Sequence, residues 1–459
     1  MERLESILAT ASDFLWGTPM VVLLFGTHLF LTVRLRFVQR HLGKAIRLSF
    51  SRQREGQGDV SQFGALMTAL AATIGTGNIV GVATAIGFGG PGAVLWMWLT
   101  GVFGIATKYA EAVLAVKYRV RTARGEMAGG PMYALERGLG QRWLGVLFAV
   151  FTAIAAFGIG NMVQAHSLSD MLKQEFSIPP AACGAVLAAL TGAVILGGIR
   201  WIARACAFLV PIMAVAYLLC CLLLLATDLS GIPRSLELII TGAFSGQAAI
   251  SGFVGASVKE AVRFGIARGL FSNESGLGSA PIVAAAAQTK NPVRQALVSS
   301  TGTFWDTVVV CLVTGLVLVN SGEWQSGLTG AELTRAAFSH LHYLGPAGLT
   351  FALLAFVFST ILGWEYYGEK AAEYLFGFGA ILPYRILWVA AVFVGSLGTL
   401  KAVWSFADIA NALMAVPNLA ALLLLSNVVV RETRKYLRDG NLDRAADEAE
   451  TGAAGGLDA

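Results

Sequence analysis

Two short stretches of the chain carry residue types that can bind a small charged molecule. The first reads Ala71-Ala72-Thr73-Ile74-Gly75-Thr76-Gly77-Asn78, the second Phe271-Ser272-Asn273-Glu274-Ser275-Gly276-Leu277-Gly278-Ser279. Each falls in the middle of an apolar segment. A glycine weakens a helix by about 1 kcal/mol relative to alanine, so two close together invite unwinding. Unwound backbone is tolerated in hydrocarbon only where it lines a cavity or a ligand replaces the lost bonds. Amides at the start of a resumed helix favour a carboxylate, and carbonyls at the end of an interrupted one favour a cation. On this reading the amides of Thr76 and Gly77 hold a substrate carboxylate, and carbonyls near Ala71 and Ile74 hold sodium. Asn78 and Ser272 add side-chain oxygens, with Asn273 and Gly276 on the substrate side of the second stretch. Thr73 joins the cation set beside the first break. Thr73, Thr76 and Ser272 can equally bond back to their own helices.

Other polar residues lie within reach of these breaks. Glu274 and Asp306 are acids at membrane depth, where ionisable groups are costly and usually functional. Asp306 suits the cation. Glu274 suits a pair with Arg268 or Arg263, as a gate or as a brace. Lys108 and Glu111 are spaced (i, i+3), as a structural pair would be. Ser359-Thr360 offers two adjacent hydroxyls for a dehydrated sodium ion, and Trp364 can close over a small side chain. Gln164, close to Asn161, either binds substrate or ties helices together. The five histidines form no metal pattern. The five cysteines, in or beside apolar segments and without Cys-x-x-Cys spacing, read as packing residues.

The elements that must position these groups follow from composition. Of 459 residues 56% are hydrophobic and only 13% charged, and the mean hydropathy is +0.67. This excludes a soluble enzyme, a disordered protein and a coiled coil, and indicates a polytopic protein embedded in a lipid bilayer. Apolar segments lie near 14–33, 62–86, 90–116, 144–165, 180–198, 205–227, 262–287, 296–320, 346–367, 384–400 and 404–430. The net charge of +5 comes from basic residues in short loops, the positive-inside pattern rather than a nucleic-acid surface. The Arg34–Arg54 stretch is assigned to the cytoplasm, with the N-terminus outside. Alternation then places Lys117–Arg142, Arg200 and Arg204, Lys290 and Arg294, and Arg431–Arg438 inside. Eleven spans satisfy every loop, in an inner or plasma membrane. The tail at 436–459 is expected to be disordered and cytoplasmic.

The chain also resembles itself. At an offset of 201 residues, Phe63-Gly64 matches Phe264-Gly265, Gly75 and Gly77 match Gly276 and Gly278, and Pro91 matches Pro292. Val82, Ala83 and Ala85 match Val283, Ala284 and Ala286, and Thr100-Gly101 and Phe103 match Thr301-Gly302 and Phe304. The offset spans five segments, an odd number, so the second copy enters from the opposite side. The expected organisation is an N-terminal helix and basic loop over 1–60, a first repeat with its connection over 61–260, and a second repeat over 261–435. Paired interrupted helices in two inverted halves are the sequence mark of a secondary transporter. There is no His-Glu-x-x-His motif and no Gly-x-Ser-x-Gly elbow, so no enzyme is expected.

The run from Ala71 through Asn78-Ile79-Val80-Gly81-Val82-Ala83-Thr84-Ala85-Ile86, followed by Gly89-Gly90-Pro91-Gly92-Ala93-Val94-Leu95-Trp96-Met97-Trp98, resembles the alanine or glycine:cation symporter family. Arg268-Gly269-Leu270-Phe271-Ser272-Asn273-Glu274-Ser275-Gly276-Leu277-Gly278-Ser279-Ala280-Pro281 resembles that family's second signature. Leu95 and Ser275 depart from the expected Phe and Ala without touching a proposed ligand. The resemblance covers about residues 10 to 435. It implies the all-α, five-plus-five inverted fold of the bacterial leucine transporter. It also implies symport of alanine, glycine or another small neutral amino acid, driven by sodium or protons and without an organic cofactor. It matches Ala71, Ile74, Ser359 and Thr360 to the shared sodium site, and Gln164, Thr360 and Trp364 to the substrate pocket. A proton-coupled symporter, and a non-transporting receptor or channel on the same scaffold, are the alternatives.

Overall fold

The computed structural model describes residues 2–51, 56–245, 258–398 and 401–443. Among them the architecture is helical apart from one antiparallel hairpin, Val120–Arg121 with Met127–Ala128. Each expected segment overlaps one or more helices among the described residues, 399–400 of the segment 384–400 lying outside them. Among the described residues seven helices are long and apolar enough to cross a membrane, or nine if each of two bent pairs counts as one span. The helix Pro180–Ile195 is apolar but shorter. The segment at 262–287 is not one continuous helix, because Val258–Asn273 and Pro281–Ala285 are separated by a polar turn. A further helix, Glu2–Leu15, precedes the first expected segment.

Close helix approach is built from small residues, which let backbones meet without a hydrophobic driving force. A Cβ on Gly160 would fall 2.1 Å from Trp364 Cβ, one on Gly158 would fall 2.0 Å from Ala407 Cβ, and one on Gly363 would fall 2.8 Å from Ala72 Cβ. The opposite faces, with Phe208, Val215, Leu219 and Ile386 exposed, are apolar, as lipid contact requires.

Several loops are tied together on one face. There Asp59 N and Gln288 N donate to Ala286 O and Val60 O at 2.8 and 2.7 Å, and Met127 N donates to Asp59 Oδ2 at 2.7 Å. Arg119 donates to the Ala285 and Ala287 carbonyls at 3.0 and 2.9 Å. These bonds tie the entry of the first broken helix to the exit of the second.

The expected tail begins later than position 436. Tyr436 and Leu442 are buried, and Asn291 Nδ2 donates to Leu442 O at 2.8 Å. Two apolar anchors and a carbonyl bond hold this stretch against the helices, so 436–443 is ordered. Residues 444–459 of the expected tail lie outside the described residues.

Candidate functional site

Both glycine clusters interrupt their helices. The helix Gln62–Thr73, capped by Ser61 through Gly64 N at 3.0 Å, stops at Ile74, and the chain resumes as a π-turn at Gly77–Gly81 and a helix at Val82–Gly89, bent by 53°. Ile74 turns extended, with φ −74° and ψ 97°, which ends the carbonyl ladder. The break is braced by its own neighbour: Gly75 N donates to Asn78 Oδ1 at 2.9 Å. Asn78 Nδ2 donates to Asp306 Oδ1 at 2.8 Å, and Ser272 and Thr307 donate to Asp306 Oδ2 at 2.9 and 2.6 Å. Three members of the expected polar set, Asn78, Ser272 and Asp306, therefore meet, although they are distant in sequence. Cys311 Sγ lies 3.3 Å from Asn78 Nδ2 and 3.2 Å from Ser272 Oγ.

The long helix Leu344–Phe376 brings Ser359 and Thr360 to the carbonyl of Ala71, at 3.4 and 3.1 Å. Gly75 makes this possible, since a Cβ there would lie 2.8 Å from Thr360 Oγ1. A hydroxyl that donates keeps lone pairs for a cation, and the group is all oxygen, as a hard monovalent ion requires. Ala71, Ser359 and Thr360 thus form one candidate cation corner. The Thr73 hydroxyl returns to the Ala69 and Leu70 carbonyls at 3.2 and 3.4 Å, as that of Ser359 also does to Phe356 O at 3.0 Å. Thr73 borders a cavity of about 10 Å³ with Lys108, Asn273 and Ser299. Lys108 Nζ and Asn273 Nδ2 are buried there without hydrogen-bond partners.

Gln164 receives the Thr76 hydroxyl at 3.4 Å and donates to Ile159 O at 3.1 Å, so it faces the first break. Gly77 packs against Ser272 and the Phe271 ring, both within 3.6 Å of where its Cβ would stand. Trp364 is buried, with Tyr367 edge-on at 5.6 Å.

The second break is longer. Helix Val258–Asn273 ends, and Glu274, Gly276 and Gly278 take φ of 55°, 89° and 87° before Pro281 opens the next helix. Left-handed backbone is natural for the two glycines. Here the amides are occupied from outside: Glu111 Oε1 accepts from Gly276 N, Gly278 N and Asn418 Nδ2 at 3.0, 3.1 and 2.7 Å. Asn418 Nδ2 also donates to Gly276 O at 2.9 Å. Glu111 therefore commits one oxygen to the unwound chain, not to the expected pair with Lys108, because amides without helical partners need an acceptor in a water-free interior. Glu274 does not pair with Arg268 or Arg263. Ser279 Oγ donates to it at 2.5 Å, closing the loop on itself, while Arg268 lies over the Phe271 ring and faces Asp408.

The profile of the sodium:alanine symporter family matches residues 1–450. The chain belongs to that family. AgcS of Methanococcus maripaludis, named a sodium/alanine symporter, is 53% identical over 442 residues, covering 94% of this chain and 97% of its own. An uncharacterized transporter of Haemophilus influenzae is 50% identical over 440 residues, covering 95% and 96%. GlnT of Bacillus subtilis, named a probable sodium/glutamine symporter, is 36% identical, covering 95% and 91%. Among solved structures, MhsT in complex with L-phenylalanine superposes with TM-score 0.57 at 16% identity, covering 81% and 90%. That likeness gives the fold of the leucine-transporter type. The family member described here is thus a multi-pass membrane transporter and not an enzyme.

Several residues of the site carry little signal in the sequence. Phe271 stands out there only as part of its run. Thr307, Cys311 and Asn418 have no telling spacing, although Asn418 is a polar residue within an apolar segment beside Pro417, a feature that marks it for attention.

Proposed function

We propose that this protein is a sodium-coupled symporter that carries a small neutral amino acid such as alanine or glycine into the cell by alternating access. The observation that carries the reading is the corner where Ser359 and Thr360 both converge on the carbonyl of Ala71 at the first break. Sodium there would sit beside the amides of Thr76 and Gly77, at the open start of the resumed helix. An amino acid's carboxylate fits those amides, and its charge is partly balanced by the ion. Gln164, Ser272 and Asn273 border the substrate, with Trp364 limiting its size, whereas Gly276, expected beside them, has its amide and carbonyl taken by Glu111 and Asn418. The Asn78–Asp306–Ser272 network joins both broken helices, so an ion or substrate on one is felt by the other.

The chain is read as eleven spans with the N-terminus outside and the C-terminus cytoplasmic in the inner membrane. The bonds of Asp59, Arg119 and the hairpin then close the cytoplasmic side, which supports a conformation open or occluded toward the outside. Sodium/alanine symport, the activity for which AgcS is named, agrees with this substrate class.

Counterflow of labelled alanine in proteoliposomes tests the reading. Uptake is expected with sodium and not with potassium in its place. Equal exchange in both salts overturns sodium coupling, and no exchange of alanine or glycine overturns the substrate class.

A further inference from the structure

The helix that carries Ser359, Thr360 and Trp364 also carries a second polar cluster, which begins at the next residue. Four carboxylates, Glu126, Glu365, Glu369 and Glu373, here face two basic groups, Lys370 and Arg385. Lys370 Nζ is taken by Glu126 at 2.8 Å and by Glu373 at 2.7 Å. Arg385 Nε donates to Glu369 Oε2 at 2.5 Å and stands 3.9 Å from Glu365 Oε1. Glu365 is left over. Its side chain is 0% exposed, and neither of its oxygens has a hydrogen-bond partner.

Tyr384 points to the same place. Its hydroxyl is buried without a partner and faces Glu365 and Glu369. It is admitted by Gly368, one turn from Glu365, where a Cβ would fall 1.7 Å from the phenolic oxygen. Phe157 and Trp388 hold the ring, at centroid distances of 5.0 and 5.8 Å. The groups facing Glu365 are therefore Glu369 and Lys370 on its own helix and Tyr384 and Arg385 on Ile381–Leu397, and the helix segment Ala156–Met162 supplies apolar contacts.

A buried carboxylate that has no hydrogen bonds, and whose one nearby cation stands 3.9 Å away and is already bonded to Glu369, is disfavoured as an anion. The geometry points to Glu365 as a proton-binding site: a carboxyl that takes one proton from water, shares it toward Glu369 and Tyr384, and gives it back to water past Arg385. Only an O–H bond forms and breaks, and one positive charge arrives and leaves. Arg385 marks the exit, since its side chain is 14% exposed and reaches the Leu196 carbonyl. The site lies about one turn and a half from Thr360 on the same helix, so its protonation can bias the element that carries the candidate cation ligands. That coupling rests on the symport reading above, whereas proton binding itself does not.

Infrared difference spectra of the purified full chain across a pH step give the first test. The carbonyl stretch of a protonated buried carboxyl is expected in the native protein, lost in Glu365→Gln and shifted in Tyr384→Phe. A band that persists unchanged in Glu365→Gln, or its absence from the native protein, overturns the proposal. In proteoliposomes with an entrapped pH dye, Glu365→Gln is expected to retain sodium-driven alanine uptake while losing its dependence on pH and the accompanying proton movement. Unaltered pH dependence in that variant also overturns it. If the native protein shows the band yet takes up no alanine, the symport reading fails and the proton site stands.

Discussion

The two broken helices solve one problem in different ways. The first break spans three residues, Ile74 to Thr76, has no left-handed backbone and is braced by a nearby side chain, that of Asn78. The second spans seven residues, from Glu274 to Ala280, uses left-handed backbone at three of them and is braced by Glu111 and Asn418 from other helices. A short break braced locally has no foreign group on its helix start, which the proposed reading gives to the substrate. A long break held by foreign groups has its amides filled, and it serves as a joint between helices. The repeat thus duplicated the position of the interruption and not its use.

The largest expected effect tests this division. Glu111→Ala leaves the Gly276 and Gly278 amides without an acceptor, at about 1–3 kcal/mol each, and takes one of the two bonds of Asn418. Loss of folded protein, or a large fall in melting temperature in detergent, is expected. A variant as stable as the native chain would show that the second break is not held from outside.

Asn78→Ala acts on the first break. It removes the bonds to Gly75 and Asp306, worth about 2 kcal/mol together, so sodium-stimulated alanine uptake should fall by about tenfold or more while the protein stays folded. Thr360→Ala should do likewise through the Ala71 corner. Uptake that is unchanged in both removes the cation corner from the site.

The glycines sharpen the contrast. Gly276→Ala places an L-residue at φ 89° and a Cβ 2.8 Å from Leu24 Cδ2, so it should cost about 1–2 kcal/mol of stability. Gly75→Ala meets only the Thr360 side chain, so it should weaken sodium affinity and leave the melting temperature nearly unchanged. Equal thermal loss in the two variants would erase the distinction.

The smallest effect lies outside the membrane segments. Burial pushes the Glu126 carboxyl up, but the Lys370 ammonium outweighs it and holds the group below the usual carboxylate range. A lowered folded value means the pair stabilises at neutral pH and is lost as pH falls through that lowered value. The loss should be about 1 kcal/mol or less, visible as an acid-side decline in melting temperature that Glu126→Gln lacks.

The location of both breaks is legible in the sequence because it is a local property: paired glycines within a long apolar run weaken the helix wherever the run packs. The meeting of Ser359, Thr360 and Ala71 is legible only through family resemblance, since hydroxyl pairs occur in many helices. Adjacency in sequence groups Thr73 with the cation corner, and its hydroxyl bonds back to Ala69. Adjacency likewise pairs Glu111 with Lys108, and the unfilled amides of a distant segment claim it.

The amino-acid sequence by itself determined that the chain lives in a bilayer, that it is helical, and that two of its helices are interrupted, because hydrophobicity and helix propensity act residue by residue along the chain. Only the tertiary structure decided which charged and polar groups serve which break. In a dry interior an orphan amide or carboxylate is costly, and the partner nearest to it in space is fixed by packing between helices far apart in the chain.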